Sequence, residues 1–505
     1  MQMIKASFVA FMSIVFSWTV QASESAAKTS GFEEFVNNFF NRLNGPFATV
    51  LFYEIPIIKL PLIVFVMVVG GIFFTFRFGF LNVKLFKHSF DVIRGKFDDP
   101  KHPGEISHFQ ALTSALSATV GLGNIAGVAV AIQLGGPGAV FWLWMSAFFG
   151  MSMKFSSCTL AQLYRDVSSN GSVLGGPMVY LRKGFAEVRN WPMAGKVLGT
   201  VYAVLTVGAS FGGGNMFQGN QTFELLASEF PVLADYNWAV GVTLAFFAGI
   251  VLLGGISRIA AVTSKMVPLM CGFYVLSCLA IILGNLGEVP AMFGEIFRQA
   301  FNPDAMFAGG MIGVLVQGVR RASFSNEAGV GSAAIAHAAA KTDEPVREGV
   351  VAMIGPFIDT HIVCTMTSLA ILITGAHLDP SVTGKGAQIT ALAFSSIHPI
   401  MPMLLTIASV IFAYSTVISW SYYGEKAWQT LFGEKSNKIY RIIYVFVIIL
   451  GPILKLGAVI DFSDLMLLSM ALPNVIGMIF LSRKLVPMVS EYLQRLKAGK
   501  MKVYK

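Results

Sequence analysis

The chain has 505 residues, 55% of them hydrophobic and only 12% charged, with 43 Phe and a formal net charge of +9. An ordinary soluble domain carries about 25% charged residues, so this composition excludes a disordered protein, a soluble multidomain enzyme and a nucleic-acid binder. It describes a polytopic membrane protein.

The first element is a short apolar run, Ala6 to Trp18, preceded by Lys5 and ending at Val20-Gln21-Ala22 before polar Ser23-Glu24-Ser25. Small residues at −3 and −1 after a short apolar core predict a signal peptide over 1–22, followed by an exported segment, 23–59. Beyond it, runs long enough to cross ~30 Å of hydrocarbon recur at 60–79, 108–134, 138–163, 197–225, 239–256, 265–286, 305–340, 348–376, 400–421, 439–460 and 464–483. These eleven predict a transmembrane domain over 60–484 and a basic cytoplasmic tail over 485–505.

Charge placement agrees with that map. Cytoplasmic segments are rich in Lys and Arg, and the segments expected there carry Arg77, Lys84, Lys87, Lys154, Arg165, Arg182, Arg258, Lys341, Arg347, Lys426 and the basic tail. The exported side keeps Lys28, Arg42, Lys59, Arg298, Lys385 and Lys455. The N-terminus is therefore expected outside and the C-terminus inside, so the positive charge reads as a topology signal and not as a nucleic-acid surface. Arg320 and Arg321 fall within a span and are expected to be buried. Cys158, Cys271, Cys278 and Cys364 lie in apolar stretches without CxxC spacing, which points to neither disulfides nor a metal site.

With the first span, 60–79, set aside, ten remain and divide into halves over 108–286 and 305–483. Each half opens with a Gly-interrupted segment. The first reads Ser117-Ala118-Thr119-Val120-Gly121-Leu122-Gly123-Asn124-Ile125-Ala126-Gly127-Val128; the second reads Phe324-Ser325-Asn326-Glu327-Ala328-Gly329-Val330-Gly331. Both contain Asn-x-Ala-Gly-Val, and an odd number of spans per half inverts one half relative to the other. Matched interruptions in inverted halves point to a transporter's binding site. Bare N–H groups at a half-helix N-terminus suit a carboxylate, and bare carbonyls at a C-terminus suit a sodium ion or an ammonium.

Four blocks carry a family resemblance: GLGNIAGVA over 121–129, GGPGAVFWLWMSAFFG over 135–150, FSNEAGVGSAAIAHAAAKTD over 324–343 and SWSYYGEK over 419–426. With them the chain resembles the alanine or glycine:cation symporters, also called sodium:alanine symporters, from about Gly104 to Lys484. The resemblance implies an all-α membrane protein with the leucine-transporter five-plus-five inverted repeat plus one extra N-terminal helix. It implies import of small neutral amino acids across a bacterial inner membrane, driven by Na⁺ or in some members by H⁺, by a monomer with no catalytic residue.

By the family pattern, Thr119, Gly121 and Gly123 hold the substrate carboxylate, Gln218 adds a hydrogen bond, and Phe324, Ser325 and Trp420 enclose the remainder. Carbonyls of Ser117 and Val120 with the Thr365 hydroxyl hold sodium. Leu122 and Gln317 stand where alanine and glycine carriers have Thr and Trp, which opens the substrate to a larger polar amino acid such as glutamine or serine alongside alanine. Three ionisable residues lie at depth, where charge is expensive. Glu327 is expected to pair with Arg320 or Arg321. Asp359 and His361 lie about 200° apart on a helix and cannot share a metal; His361 reads as a packing histidine or a proton-coupling site. A non-transporting sensor, a channel and an intramembrane enzyme are the competing classes, and no HExxH or GxSxG motif supports the last.

Overall fold

Backbone polar groups in hydrocarbon must be paired internally, and this chain pairs them in helices. The structure, a computed structural model, describes residues 45, 48–99, 101–169, 171–302, 310–454 and 456–504. The expected signal peptide, most of the exported segment and the start of the run 305–340 lie outside the described residues.

Helix α1 is Leu62–Arg77, and a short amphipathic helix, α2 (Phe86–Ile93), follows it. Ser107 then caps α3 (His108–Thr119): its hydroxyl accepts from Gln110 N while Gln110 Oε1 accepts from Ser107 N, a reciprocal capping box. The chain leaves helical geometry at Val120 and Gly121, makes one tight turn over Leu122–Asn124 and resumes as α4 (Ala126–Gly135), bent by 59° from α3. A 27-residue helix, α5 (Gly138–Tyr164), is followed by α6 (Pro177–Arg189) and then by α7 (Pro192–Phe211) and α8 (Phe217–Glu229). Between α7 and α8 the helix widens to a π-turn at Gly212–Met216. α9 (Asn237–Leu252), α10 (Gly255–Gly284) and α11 (Val289–Phe301) complete the first part.

The second part begins with α12 (Gly310–Asn326). It breaks where Glu327, Gly329 and Gly331 take positive φ (54°, 83° and 92°), and it resumes as α13 (Ala333–His337). α14 (Pro345–Ala352) continues through a π-helical stretch, Phe357–Cys364, into α15 (Thr365–Thr374); α16 (Gly386–Ser395), α17 (Met401–Phe432), α18 (Asn437–Leu450) and α19 (Leu456–Lys497) follow. Among the described residues six helices are long and apolar enough to span a membrane, and the bent α3–α4 pair makes a seventh. Besides helices, the described residues hold a short hairpin, Asp166–Val167 against Val173–Leu174, and two isolated bridges, Glu54 with Pro61 and Ile106 with Ala340.

The tail begins as helix: α19 runs on to Lys497, burying Leu485, Val489 and Tyr492, and His88 Nε2 of α2 lies 2.7 Å from the Tyr492 hydroxyl. One sequence expectation changes here. Lys154, counted among loop cations, is 2% exposed inside α5.

The chain entering α3 is knitted to the chain leaving α13. Glu105 N donates to Ala339 O at 2.8 Å and Lys341 N to Ile106 O at 2.8 Å, while Arg165 gathers the carbonyls of Pro103, Ala338, Ala340 and Thr342. Beneath this strap Glu348 of α14 joins His108 and His337, all three buried. The N-terminal end of one broken element and the C-terminal end of the other are thus pinned together at one end of the bundle.

Candidate functional site

Both breaks face one small cavity lined by Ala118, Thr119, Gly123, Gly213, Gln218, Phe324, Glu327, Trp420 and Leu467. At the first break, Gln218 holds the opened backbone: its Oε1 accepts from Leu122 N at 3.3 Å while its Nε2 donates to Gly213 O at 2.9 Å. The π-turn supplies that geometry, since a one-residue widening turns Gln218 toward α3 and leaves Gly213 against Phe324. Gly121 must lack a side chain, because a Cβ there would lie 2.6 Å from Thr416 Oγ1 and 3.1 Å from Gln218 Oε1.

At the second break, Glu327 Oε1 accepts from Trp420 Nε1 at 3.0 Å, and its other oxygen accepts from the Ser332 hydroxyl. The expected pairing of Glu327 with Arg320 or Arg321 does not occur. Both arginines instead meet Asp464 of α19, Arg320 at 3.0 Å, and Arg321 also lies over the Phe324 ring at 5.6 Å. The reason is helical geometry: Arg320 and Arg321 leave α12 before its last turn and face α19, whereas Glu327 lies past the helix end in left-handed backbone.

Between the breaks runs a buried polar network. Thr119 Oγ1 donates to Asp359 Oδ2 at 2.7 Å; Asn124 Nδ2 reaches Ser325 Oγ at 3.0 Å and Asp359 O at 3.1 Å. Asn326 Nδ2 donates to Thr360 Oγ1 at 2.9 Å, and Lys154 Nζ donates to Asn326 O at 3.0 Å. Unpaired groups in such surroundings are costly, yet Asp359 Oδ1 has no hydrogen-bond partner among the described residues.

Of the residues singled out from sequence, Thr119, Gly123, Gln218, Phe324 and Trp420 line the cavity, and Gly121 and Ser325 lie directly behind it. Leu122 is fully buried with its N–H held by Gln218 and does not line the cavity. Gln317 lies away from it: its Cβ packs on Gly135 at the far end of α4. Seven residues before Phe324, it stands about 10 Å further along α12 at ~1.5 Å per residue. Thr365 does not reach the α3 carbonyls either. Its hydroxyl accepts from Trp144 Nε1 at 2.7 Å and donates to Thr360 O at 3.3 Å, while Thr416 of α17 donates to Ser117 O at 3.0 Å. His361 stacks on Phe357, 5.7 Å between centroids, away from both breaks.

Sequence reasoning missed Thr416, Asp464 and the depth of Lys154. The signal for Lys154 was available, since it stands well inside the predicted run 138–163. Asn124 and Asn326 were part of the quoted motifs, but nothing in the motifs assigned them the cross-links they make.

The model of the sodium:alanine symporter family matches residues 48–505. The sodium/alanine symporter AgcS of Methanococcus maripaludis is 45% identical over 414 residues, covering 82% of this chain and 90% of that protein. A Bacillus subtilis protein named "Probable sodium/glutamine symporter GlnT" is 34% identical over 438 residues, covering 86% of this chain and 88% of its own length. Among solved structures, MhsT in complex with L-phenylalanine shares the fold at a TM-score of 0.55 with 14% identity, over 75% of this chain and 89% of that one. With a family match over nearly the whole chain and a relative at 45% identity, this multi-pass membrane protein belongs to the sodium:alanine symporter family.

Proposed function

We propose that the chain imports a small neutral amino acid together with sodium by alternating access. Two halves, over 108–286 and 305–483, are read as a five-plus-five inverted repeat beside the extra helix α1, eleven spans in all, with the N-terminus exported and the C-terminus cytoplasmic. The observation that carries the reading is the convergence of two interrupted helices on one cavity closed by Phe324 and Trp420. Backbone N–H groups of the first break receive the substrate carboxylate, with Thr119 and Gln218 beside them. The ammonium faces the second break, where Glu327 lines the cavity.

Sodium is placed at the end of α3, on the carbonyls of Ser117 and Val120, with Thr416 in the place expected for Thr365. Neutral oxygens suit a monovalent ion that must leave again. For the substrate, an alanine-sized molecule is favoured. The case for glutamine or serine rested on Leu122 and Gln317, and neither lines the cavity. Two large rings and Leu467 leave little room above Thr119.

Uptake of labelled L-alanine into proteoliposomes, with and without an inward sodium gradient, tests the reading. Sodium-driven accumulation and counterflow of labelled against unlabelled alanine are expected. Sodium-independent binding without counterflow would make the protein a sensor, and flux without saturation or counterflow would make it a channel.

A further inference from the structure

Beyond the ring of Phe324 lies a second cavity that the site between the breaks does not use. It is lined by Ala126 and Gly127 at the start of α4, Gly386 at the start of α16, Phe217 and Gln221 of α8, and Arg321 of α12. Its empty space is about 210 Å³, against about 250 Å³ between the breaks. Phe217 and Phe324 stand between the two, their rings meeting edge to face at 5.1 Å between centroids, and Arg321 lies over the Phe324 ring at 5.6 Å. On the orientation proposed above, Lys385 beside Gly386 belongs to the exported side, so this cavity lies outward of the ring pair.

The walls of this cavity are positive. The first N–H groups of a helix have no intrahelical partner and carry the positive end of its dipole, and two ten-residue helices, α4 and α16, start here. They come close because Gly386 has no side chain: a Cβ there would lie 3.1 Å from Ala126 Cβ and 3.0 Å from Gln221 Oε1. Helix starts alone do not make a site; Arg321 is the independent observation. It is 5% exposed, and its Nε has no hydrogen-bond partner among the described residues. Its terminal nitrogen meets Asp464, but Arg320 shares that carboxylate. Asp461 of α19 and Glu224 of α8 are the other acids nearby, and neither forms an ion pair with Arg321 among the described residues. A buried cation with a bare donor and half of one carboxylate favours an anion beside it.

We propose that this cavity is an anion site, separate from the transport site, that takes one small monovalent anion: a halide ion, or the carboxylate of an amino acid that has not yet passed Phe324. Arg321 supplies the charge, and the starts of α4 and α16 supply N–H donors. The site is coupled to the inner cavity through Arg321 itself, because the guanidinium that would hold the anion also covers the ring that closes the transport site. The proposal goes beyond the symport reading and does not depend on which cation drives transport.

Thermal unfolding of the purified full chain tests the site without reference to transport. At constant sodium, replacing gluconate by chloride should raise the unfolding midpoint by about 2 °C in wild type. The rise should vanish in Arg321→Gln, where Asp464 keeps Arg320. No rise in wild type, or an equal rise in Arg321→Gln, would overturn the proposal. If Arg321→Gln does not fold, Gly386→Val, which fills the cavity from α16, takes its place under the same criterion. Uptake of labelled alanine then identifies the occupant. If a halide belongs there, chloride should raise the initial rate about threefold. If the substrate carboxylate waits there, chloride should raise the KM for alanine about threefold and leave the maximal rate unchanged. Uptake indifferent to chloride would overturn the coupling through Arg321 and the proposal with it. Alanine flux that ignores sodium would fail the symport reading and leave the midpoint comparison to decide the anion site.

Discussion

The two breaks solve the same problem with opposite materials. The first, from Val120 to Asn124, carries no charge: Gly121 and Gly123 bare the backbone, and hydroxyl and amide groups of Thr119, Gln218 and Thr416 complete it. The second, from Asn326 to Gly331, is built on charge: Glu327 sits in left-handed backbone, Lys154 covers the helix end, and Asp359 reaches across to Thr119. A neutral break can bind an ion or a carboxylate and release it, whereas a charged break holds its shape whether or not a ligand is bound. The difference suggests a division of labour: ligands exchange chiefly at the first break, and the second break fixes the electrostatic frame against which they bind.

That comparison can be broken first at Gly121. If the neutral break works by the absence of side chains, Gly121→Ala should be the most damaging small change, because its Cβ would lie 2.6 Å from Thr416 Oγ1. Overpacking of this kind costs roughly 1–3 kcal/mol, so the initial rate of sodium-driven uptake should fall by about 30-fold at matched protein levels. Gly249→Ala, where a Cβ would meet nothing within 4 Å, should leave the rate unchanged. Equal rates for the two variants would remove the steric basis of the first break.

Glu327→Gln tests the charged break with shape preserved. An amide can still accept from Trp420 Nε1 but loses the negative charge, and hydrogen bonds to charged groups are worth about 1.5–3 kcal/mol. The concentration of alanine at half-maximal uptake should rise about tenfold or more, with the expressed protein as heat-stable as wild type. If KM holds and only stability falls, Glu327 is a scaffold for Trp420 and not part of the substrate's surroundings.

A smaller effect separates Thr416 from Thr365. One neutral hydrogen-bonding group is worth about 1 kcal/mol, so Thr416→Ala should raise the sodium concentration for half-maximal uptake about fivefold. Thr365→Ala loses a contact to Trp144 and should shift it less than twofold. The reverse order would return sodium to the π-helical stretch of α14–α15.

Sequence made the breaks legible because both depend on local chemistry. Glycines at 121, 123, 329 and 331 punctuate apolar runs that would otherwise be continuous, and Gln218 follows three consecutive glycines. What sequence could not show was anything set by rotation about a helix axis. Thr416 and Thr365 are both hydroxyls inside apolar runs, and only the packing of α17 against α3 selects the first. Arg320, Arg321 and Glu327 look like partners within seven residues, but the helix ends between them, so their side chains leave in different directions. Counting Lys154 as a loop cation failed for a related reason: the positive-inside rule describes where charges collect on average and is silent about a lysine that a neighbouring helix end draws inward.

The finest test concerns Gln317, where sequence pattern and geometry disagree outright. Position 317 differs from the tryptophan usual in alanine and glycine carriers, and by pattern alone that difference would widen the substrate range. Its side chain instead packs on Gly135, at a part of α12 beyond the ring of Phe324. Gln317→Trp should therefore leave the ratio of alanine to glutamine uptake within about twofold of wild type. Changing Trp420 or Phe324, which close the cavity, should move that ratio further. A Gln317→Trp protein that loses glutamine while keeping alanine would show that the cavity opens toward Gly135 during transport, and the neutral break would then share its ligand with the base of α12.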